Sequence, residues 1–254
     1  MKIIVAIKQV PERDAQLSLS PEGRWIEEDG LNYVINEPDA YALEEALQLK
    51  EQHGGEVIAL CAGPERVTST LREALAKGAD RAIHIASDTL GTLDTLALSH
   101  VLAEAIRAES PDLVLTGLQS DDLGLGQTGV VVAEILGIPH STLVLHVDKT
   151  DSGIRVKREL EDGWFQNVDL PLPAVLTIQS GGNKLRYATL MGIKKAKTKE
   201  TRTVEASVPN SSPTVELTRV FLPEKQKQTQ MLKGSPSEIA AQLVEKLRTE
   251  VRVL

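Results

Sequence analysis

The sequence predicts an α/β protein, in which a parallel β-sheet carries helices on both of its faces. Two patterns indicate this fold. Short apolar runs rich in β-branched residues, such as residues 3–7, are typical of strands that are buried on both faces. These runs alternate with segments of helical periodicity as far as about residue 146, and right-handed β–α–β crossovers turn such an alternation into a parallel sheet.

The elements of the first half follow from apolar periodicity and from turn residues. A polar, turn-rich stretch over residues 11–35 suits a hairpin excursion, and Gly78 and Gly137 are predicted to end helices. Strands are predicted at residues 3–7, 56–61, 81–85, 113–116 and 142–146. Helices are predicted to begin at residues 36, 67 and 128, and a further helix presents Leu98, Val101, Leu102 and Ala105 on one face.

The pattern changes after residue 150. Residues 154–160, 165–170 and 174–179 alternate like antiparallel strands, so we expect a small antiparallel extension of the sheet. A basic, loop-like stretch follows over residues 181–199. The polar residues 200–235 predict an extended arm, and the arm leads to a final helix over residues 236–248.

The final helix carries an apolar stripe of Ile239, Leu243 and Leu247. A helix outside the main domain has to bury such a stripe somewhere, and a partner subunit is the simplest answer. We therefore expect an α/β domain over residues 1–199, followed over residues 200–254 by an arm and helix that wrap a partner.

Composition excludes several classes of protein. The net charge of −8 and the aromatic content of 3% argue against a nucleic-acid-binding protein. No apolar run reaches the length of about 18 residues that a membrane span needs. The single cysteine, Cys61, excludes an internal disulfide and fits a reducing compartment, so we expect a cytoplasmic protein without membrane insertion.

The strongest candidate for a binding site is a polar, glycine-rich loop over residues 118–127, which lies between a predicted strand and a predicted helix. This order brings several backbone N–H groups and the positive end of a helix to one place, which suits a phosphate group. Gly124, Gly126 and Gly129 also match G-x-G-x-x-G, but about seven residues separate them from the strand. We therefore favour a nucleotide phosphate over NAD in particular, and a mobile surface loop is the simple alternative.

Catalytic and metal motifs are missing from the sequence. Asp121 and Asp122 could bind Mg²⁺, although paired acids in a loop are more often solvated or capping. Cys61 and the five histidines show no metal-ligand spacing, and neither a nucleophile elbow nor a Walker-type phosphate loop occurs. The sequence therefore favours binding or electron carriage over self-contained catalysis.

Several stretches resemble one family, the β subunits of electron-transfer flavoproteins. The resemblance is carried by VAIKQVP, ALEEALQLKE, CAGPERV, LREALAKGADRAIHI, VKRELEDG and PAVLTIQSGGNKLRYATLMGIKKAK. It runs from residue 1 to about residue 200 and is weaker along the arm. The sequence RYATL followed by a basic run is specific to the family, whereas the glycine-rich loop alone is not.

The resemblance implies a heterodimer in which an α subunit holds most of the FAD contacts. It also implies a Rossmann-like domain, related to adenine-nucleotide-binding stress proteins, that holds a structural AMP. The AMP contacts carried over from the family fall at Ala6, Asn36, Glu37, Pro38, Asp39, Ala62, Gly117, Leu118, Gln119, Ser120, Asp121, Asp122, Leu123, Gly124, Leu125, Gly126, Gln127 and Thr128. Ala62 departs from the family, which often has cysteine there, but a backbone contact survives that change.

Electron-bifurcating relatives bind a second FAD in place of AMP, and their loop usually reads D-G-D-T-A-Q-V-G-P. This chain has Thr128 and no proline in that stretch, which favours AMP. The resemblance also maps a recognition loop onto residues 183–195. Within it, Leu190 either inserts into a partner dehydrogenase or packs back on its own domain, and Glu159 matches a carboxylate that helps to position the flavin domain.

Two functions follow as alternatives. The first is an electron-carrier subunit, not an enzyme, that passes electrons from flavin-containing dehydrogenases to a membrane-linked acceptor of the electron-transfer flavoprotein–quinone oxidoreductase type. The second is a stress-type nucleotide-binding module without a redox role. The recognition loop and the C-terminal arm favour the first, since a stand-alone module needs neither.

Overall fold

Nine strands form one sheet in the computed structural model, which describes residues 1–208, 214–223 and 229–253. Together with a separate two-stranded ribbon, the strands in these ranges number eleven: β1 (Lys2–Ala6), β2 (Gln9–Pro11), β3 (Tyr33–Ile35), β4 (Glu56–Gly63), β5 (Arg81–Ala86), β6 (Leu113–Gly117), β7 (His140–Lys149), β8 (Ile154–Glu159), β9 (Phe165–Leu170), β10 (Ala174–Ile178) and β11 (Thr201–Glu205). The helices are α1 (Glu37–His53), α2 (Thr68–Lys77), α3 (Thr95–Glu109), α4 (Thr128–Leu136), α5 (Leu190–Ala196) and α6 (Pro236–Lys246). Short helical turns lie at Glu65–Val67, Leu90–Thr92, Glu161–Gly163 and Leu247–Val251.

The order of strands across the sheet is β11-β5-β4-β1-β6-β10-β7-β8-β9. From β11 to β7 all neighbours are parallel, and β8 and β9 extend the sheet as an antiparallel meander. Strands β2 and β3 pair separately as an antiparallel ribbon, which matches the hairpin expected between residues 11 and 35. The predicted α/β fold with a small antiparallel extension is confirmed.

Helices cover both faces of the sheet. Helices α1 and α2 bury Leu43 and Leu71 against one face, and α3 and α4 bury Ile106 and Val132 against the other. Each of these side chains is at most 1% exposed. Full burial of such an aliphatic side chain is worth about 1.5–3 kcal/mol, so the two apolar layers stabilise the sheet from both sides.

One strand assignment from the sequence was wrong. Residues 174–179 were expected to pair antiparallel, but β10 lies between β6 and β7 and is parallel to both. Its five residues, AVLTI, are all buried, as a central parallel strand requires. The turn at residues 171–173 suggested a hairpin, whereas the chain in fact crosses from the edge of the sheet to its centre.

The sheet also extends beyond residue 200, into the stretch expected to be an arm. Strand β11 pairs parallel with β5, with Thr201 opposite Ala82, and Arg202 makes an ion pair with Glu109 of α3. Four of its five residues are exposed because it is an edge strand. An edge strand with polar side chains has no apolar alternation, so periodicity could not reveal it.

Residues 19–26 and 219–254 make up a second compact unit, which contains α6. This helix begins with a capping box, in which Ser235 and Glu238 each satisfy a backbone N–H group of the other, and with Pro236 in its first turn. The predicted final helix is therefore confirmed. None of its described residues is buried, and Leu243 is 48% exposed. Within the described ranges, no helix is long and apolar enough to cross a membrane.

Candidate functional site

The strand order reverses direction at β1 and β6. Chain order leads from β1 to β4 and β5 on one side, and then through α3 to β6 on the other side of β1. In such sheets ligands bind in the crevice at the carboxyl ends of the strands, where the order reverses. Lys8 lies two residues after β1, the glycine-rich loop follows β6 directly, and Ala6 and Ala62 lie at the carboxyl ends of β1 and β4.

The glycine-rich loop is tied to the start of α1. The Asn36 side-chain amide donates to the Gln119 carbonyl at 3.0 Å, and its oxygen accepts the Asp121 N–H at 2.9 Å. The Asp121 carboxylate accepts the Glu37 N–H at 3.2 Å. Two separately predicted segments, residues 36–39 and 117–128, therefore contact each other, and these contacts give the loop a defined shape.

Lys8 provides a further tie across the crevice. Its ammonium group donates to Asp122 Oδ1 at 2.7 Å, and the same oxygen accepts the Leu123 N–H at 2.7 Å. Burial alone raises the pKa of Asp122, but its hydrogen bonds and the charge of Lys8 outweigh burial and hold the pKa below its ordinary value. The carboxylates of Asp121 and Asp122 therefore accept hydrogen bonds from other groups of the protein. Across the part of the chain that the structure describes, no group of acidic, histidine or cysteine side chains could hold a metal ion.

Asp39 links the carboxyl ends of the two neighbouring strands β1 and β6. Its carboxylate accepts the Gly117 N–H and the Lys8 N–H, each at 2.7 Å, and the residue is only 6% exposed. A Cβ added to Gly117 would lie 2.7 Å from the Cβ of Pro38, so this contact requires glycine. Asp39 thus contacts backbone in the interior, and its predicted contact with AMP stays a prediction.

Burial raises the pKa of Asp39 to about 7, and the two backbone donors, Asn36 and Lys8 reverse the effect only in part. Between pH 4 and 7 the folded chain therefore holds a proton on Asp39 that the unfolded chain has lost. The free energy of unfolding then decreases as the pH rises through this range.

We expect the stability of the wild type relative to an Asp39→Asn variant to fall between pH 4 and pH 7. The fall should reach up to about 4 kcal/mol, since one pKa unit corresponds to about 1.4 kcal/mol. Urea unfolding of both proteins at several pH values measures this difference, and Asn serves as the control because it does not titrate. A difference that stays constant across the range would mean that Asp39 remains ionised throughout.

The end of the glycine-rich loop at α4 has the geometry of an anion site. Gly124 and Gly126 have φ angles of +62° and +64°, which other residues rarely adopt. A Cβ on Gly129 would lie 2.6 Å from Thr116 Oγ1 and 2.6 Å from Thr177 Cγ2, so the first turn of α4 packs directly on β6 and β10. Among the described residues, no side chain caps this helix at Gln127, and buried Thr177 Oγ1 has no hydrogen-bond partner.

These features suit a phosphate group. Uncapped N–H groups at a helix start carry partial positive charge, and glycines let an anion approach the backbone closely. The binding of AMP itself stays a prediction.

Cys61 is 1% exposed, and burial raises the pKa of its thiol to about 12. It is a small side chain of the core and not a reactive thiol.

The recognition loop presents apolar side chains to solvent. Leu190 is 82% exposed and Tyr187 is 91% exposed, and Met191 beside them is 62% exposed. The alternative that Leu190 packs back on its own domain is therefore wrong. The stretch was expected to be loop-like, but its second half forms α5, which Thr189 caps by accepting the Gly192 N–H at 3.0 Å.

The residues that hold the recognition loop were not predicted from the sequence. Arg186 forms ion pairs with Glu44 and Glu51 of α1, at 2.8 and 2.6 Å, and Asn183 donates to Glu45 at 3.0 Å. Glu44 and Glu45 are 5% and 3% exposed. One signal for these contacts is present in the sequence, because both partners lie in stretches that resemble the family, ALEEALQLKE and GGNKLRYATL.

Glu159 is the last residue of β8, in the antiparallel part of the sheet. Its carboxylate accepts a hydrogen bond from the side chain of Gln179 at 3.4 Å, just after β10. The structure therefore places it near the beginning of the stretch that leads to the recognition loop. Its predicted role toward a partner stays a prediction.

The sequence is similar to those of several known proteins. A family model described as "Electron transfer flavoprotein domain" matches residues 24–209. The electron transfer flavoprotein subunit beta of Methylophilus methylotrophus is 39% identical over 96% of this chain and 97% of its own length. The protein of the same name from Bacillus subtilis is 34% identical over 100% of both chains. The acryloyl-CoA reductase electron transfer subunit gamma of Anaerotignum propionicum is 32% identical over 97% of this chain and 98% of its own.

Proposed function

Because this chain belongs to the electron transfer flavoprotein family and aligns with its β subunits over its whole length, we propose that it carries electrons as one half of a heterodimer. It is a carrier subunit and not an enzyme. In this proposal it passes electrons from flavin-containing dehydrogenases to a membrane-linked acceptor, and it works in the cytoplasm.

The observation that carries the proposal is the recognition loop. Exposed Leu190 and Tyr187 stand among lysines, where apolar side chains gain nothing from water. Lys194, Lys195 and Lys197 add a positive surface that steers an acidic partner toward the apolar residues. A nucleotide-binding module without a redox role has no use for such a surface.

The geometry of the crevice at the carboxyl ends of the strands favours a structural AMP as its ligand. The turn from the glycine-rich loop into α4 offers backbone N–H groups to the phosphate, and the contacts of Asn36 and Lys8 hold that loop in place. FAD, shared with an α subunit, supplies the electron-carrying chemistry when it is bound. The role of this chain is then to complete the flavin environment and to present the docking surface.

Co-expression with an electron transfer flavoprotein α subunit tests the proposal. We expect a yellow complex that contains one FAD and one AMP per pair, measured by absorbance and by chromatography of the extracted nucleotides. Two FAD and no AMP would establish the bifurcating alternative instead. A colourless chain that retains a nucleotide but binds no α subunit would support the stress-type module.

Leu190→Ala should weaken docking to the donor dehydrogenase without changing the carrier itself. A buried apolar anchor is worth about 1–3 kcal/mol of association, so the apparent KM for the carrier should rise by about 5- to 150-fold. Steady-state transfer from the dehydrogenase, titrated against the carrier, measures this rise. FAD content and thermal stability should match the wild type, and a variant that melts early yet transfers electrons normally would disprove the anchor.

A further inference from the structure

Arg186, itself a residue of the recognition loop, fixes this loop to α1. Its Nε and Nη2 atoms donate to the two oxygens of Glu44 at 2.8 and 3.0 Å. Its Nη1 and Nη2 atoms also donate to the two oxygens of Glu51 at 2.6 and 3.2 Å. The planar guanidinium therefore forms paired hydrogen bonds with two carboxylates that lie two helical turns apart on α1. Lysine cannot reproduce this geometry.

The loop is held at further points on both sides of Leu190. Asn183 donates to Glu45 before it, and after it Gly192 packs so closely on the Ala76 carbonyl of α2 that a Cβ would overlap that oxygen. Beyond the loop, Lys199 donates to the Leu75 carbonyl at 2.8 Å and to the Ala79 carbonyl at 2.5 Å. The Leu190 side chain is therefore exposed, while the backbone on both sides of it is held by contacts with α1 and α2.

Glu44 and Arg186 both stay charged over the physiological range. Burial alone raises the pKa of Glu44, but the hydrogen bonds from Arg186 and Gln48 outweigh burial and keep the pKa below its ordinary value. The hydrogen bonds that Arg186 donates to Glu44 and Glu51 raise the pKa of its guanidinium group. The contact of Arg186 with Glu44 is largely shielded from water, so it orders the chain more effectively than an exposed ion pair does.

We propose that Arg186 is a positioning residue that holds Leu190 in the orientation in which it docks to the electron-donating flavoprotein. The inference rests on the proposed function and extends it. A side chain that is ordered before binding loses less entropy when it is buried against a partner. Arg186 belongs to the loop and its side chain contacts α1, so it acts through Leu190 and through the path of the backbone around it.

A double-mutant cycle of Arg186→Lys and Leu190→Ala, made in the flavin-containing heterodimer, tests the proposal. Arg186→Lys should raise the apparent KM for the carrier by about 3- to 30-fold and leave kcat and FAD content unchanged. In the Arg186→Lys background, Leu190→Ala should then cost less than about 3-fold, because the side chain is no longer held in position. Amide hydrogen exchange at residues 187–193 should become faster.

Two further variants separate positioning from folding. Glu51→Gln removes the ion pair between Arg186 and Glu51. Because the Glu51 side chain is 59% exposed, this change leaves no buried charge unpaired. Like Arg186→Lys, it should raise the apparent KM for the carrier. Arg155→Lys is the matched control, because Arg155 makes the same two-bond contact with exposed Asp169, at 2.7 and 2.8 Å, on strands β8 and β9. Arg155→Lys should leave KM unchanged.

The outcomes are distinct. Multiplicative effects of Arg186→Lys and Leu190→Ala on KM, or unchanged exchange at residues 187–193, would overturn the positioning role and leave the proposed function standing. An unchanged KM for Leu190→Ala alone would overturn the docking role and the positioning role together.

Discussion

Gly129→Val should abolish retention of the nucleotide. Glycine is required here because any Cβ would lie 2.6 Å from Thr116 Oγ1 and 2.6 Å from Thr177 Cγ2, and a β-branched side chain makes that overlap worse. The first turn of α4 must then move away from the sheet, and its backbone N–H groups move with it. We expect affinity for AMP to fall at least ~100-fold, which corresponds to about 2.7 kcal/mol.

Extraction and chromatography of nucleotide from the purified heterodimer measures this loss, with isothermal titration of AMP as the second readout. The overpacking itself should cost about 1–3 kcal/mol of stability, so folding is checked by circular dichroism. Gly91→Val is the matched control, because among the described residues nothing lies within 4 Å of the Cβ position at Gly91. A Gly129→Val protein that still carries equimolar AMP would place the phosphate elsewhere.

Deletion of residues 236–254 should weaken the heterodimer severely. The described residues of α6 include half-exposed Ile239 and exposed Leu243 and Val244, which form an apolar face, and none of the described residues of this helix is buried. Burial of each such side chain is worth about 1.5–3 kcal/mol when complete, so the loss of three should weaken association by at least about 100-fold. Analytical ultracentrifugation with the α subunit measures the change, and FAD content reports it independently.

A point variant separates the helix face from the loss of chain length. Leu243→Gln alters the apolar face and should reproduce part of the weakening, whereas Glu245→Gln two positions away should leave association unchanged. Wild-type affinity in the truncated chain would exclude the arm as a contact with the partner. Wild-type affinity in Leu243→Gln alone would move the contact to another part of the arm.

The sequence predicted elements whose signals are local. Helix α6 was predictable because Ser235, Pro236 and Glu238 lie within one turn of each other and because the apolar residues recur at helical spacing. The glycine-rich loop before α4 was predictable for the same reason: a strand, a run of glycines and a helix start are consecutive in the chain. The family resemblance added the link to residues 36–39, which no local pattern contains.

Contacts between distant residues were decided by the tertiary structure. Arg186 and Glu44 are 142 positions apart, and Asp121 and Asn36 are 85 apart. Nothing in the periodicity of either segment names its partner, because the order of strands in the sheet determines which loops meet. The same limit explains β10, whose buried run AVLTI fits any central strand and does not reveal that its neighbours are β6 and β7.

The sequence by itself thus determined the alternation of strands and helices and the glycine-rich turn, whereas the exposure of Leu190 was decided by the structure. Short-range sterics, capping and apolar periodicity act within a few residues, so they can be inferred without a structure. Only the tertiary structure decided that the Asp39 carboxylate accepts the backbone N–H groups of Gly117 and Lys8 and that Arg186 forms an ion pair with Glu44 of α1. Those roles depend on burial and on partners brought together by the sheet, and burial of a charged side chain becomes visible only once the whole chain has folded around it.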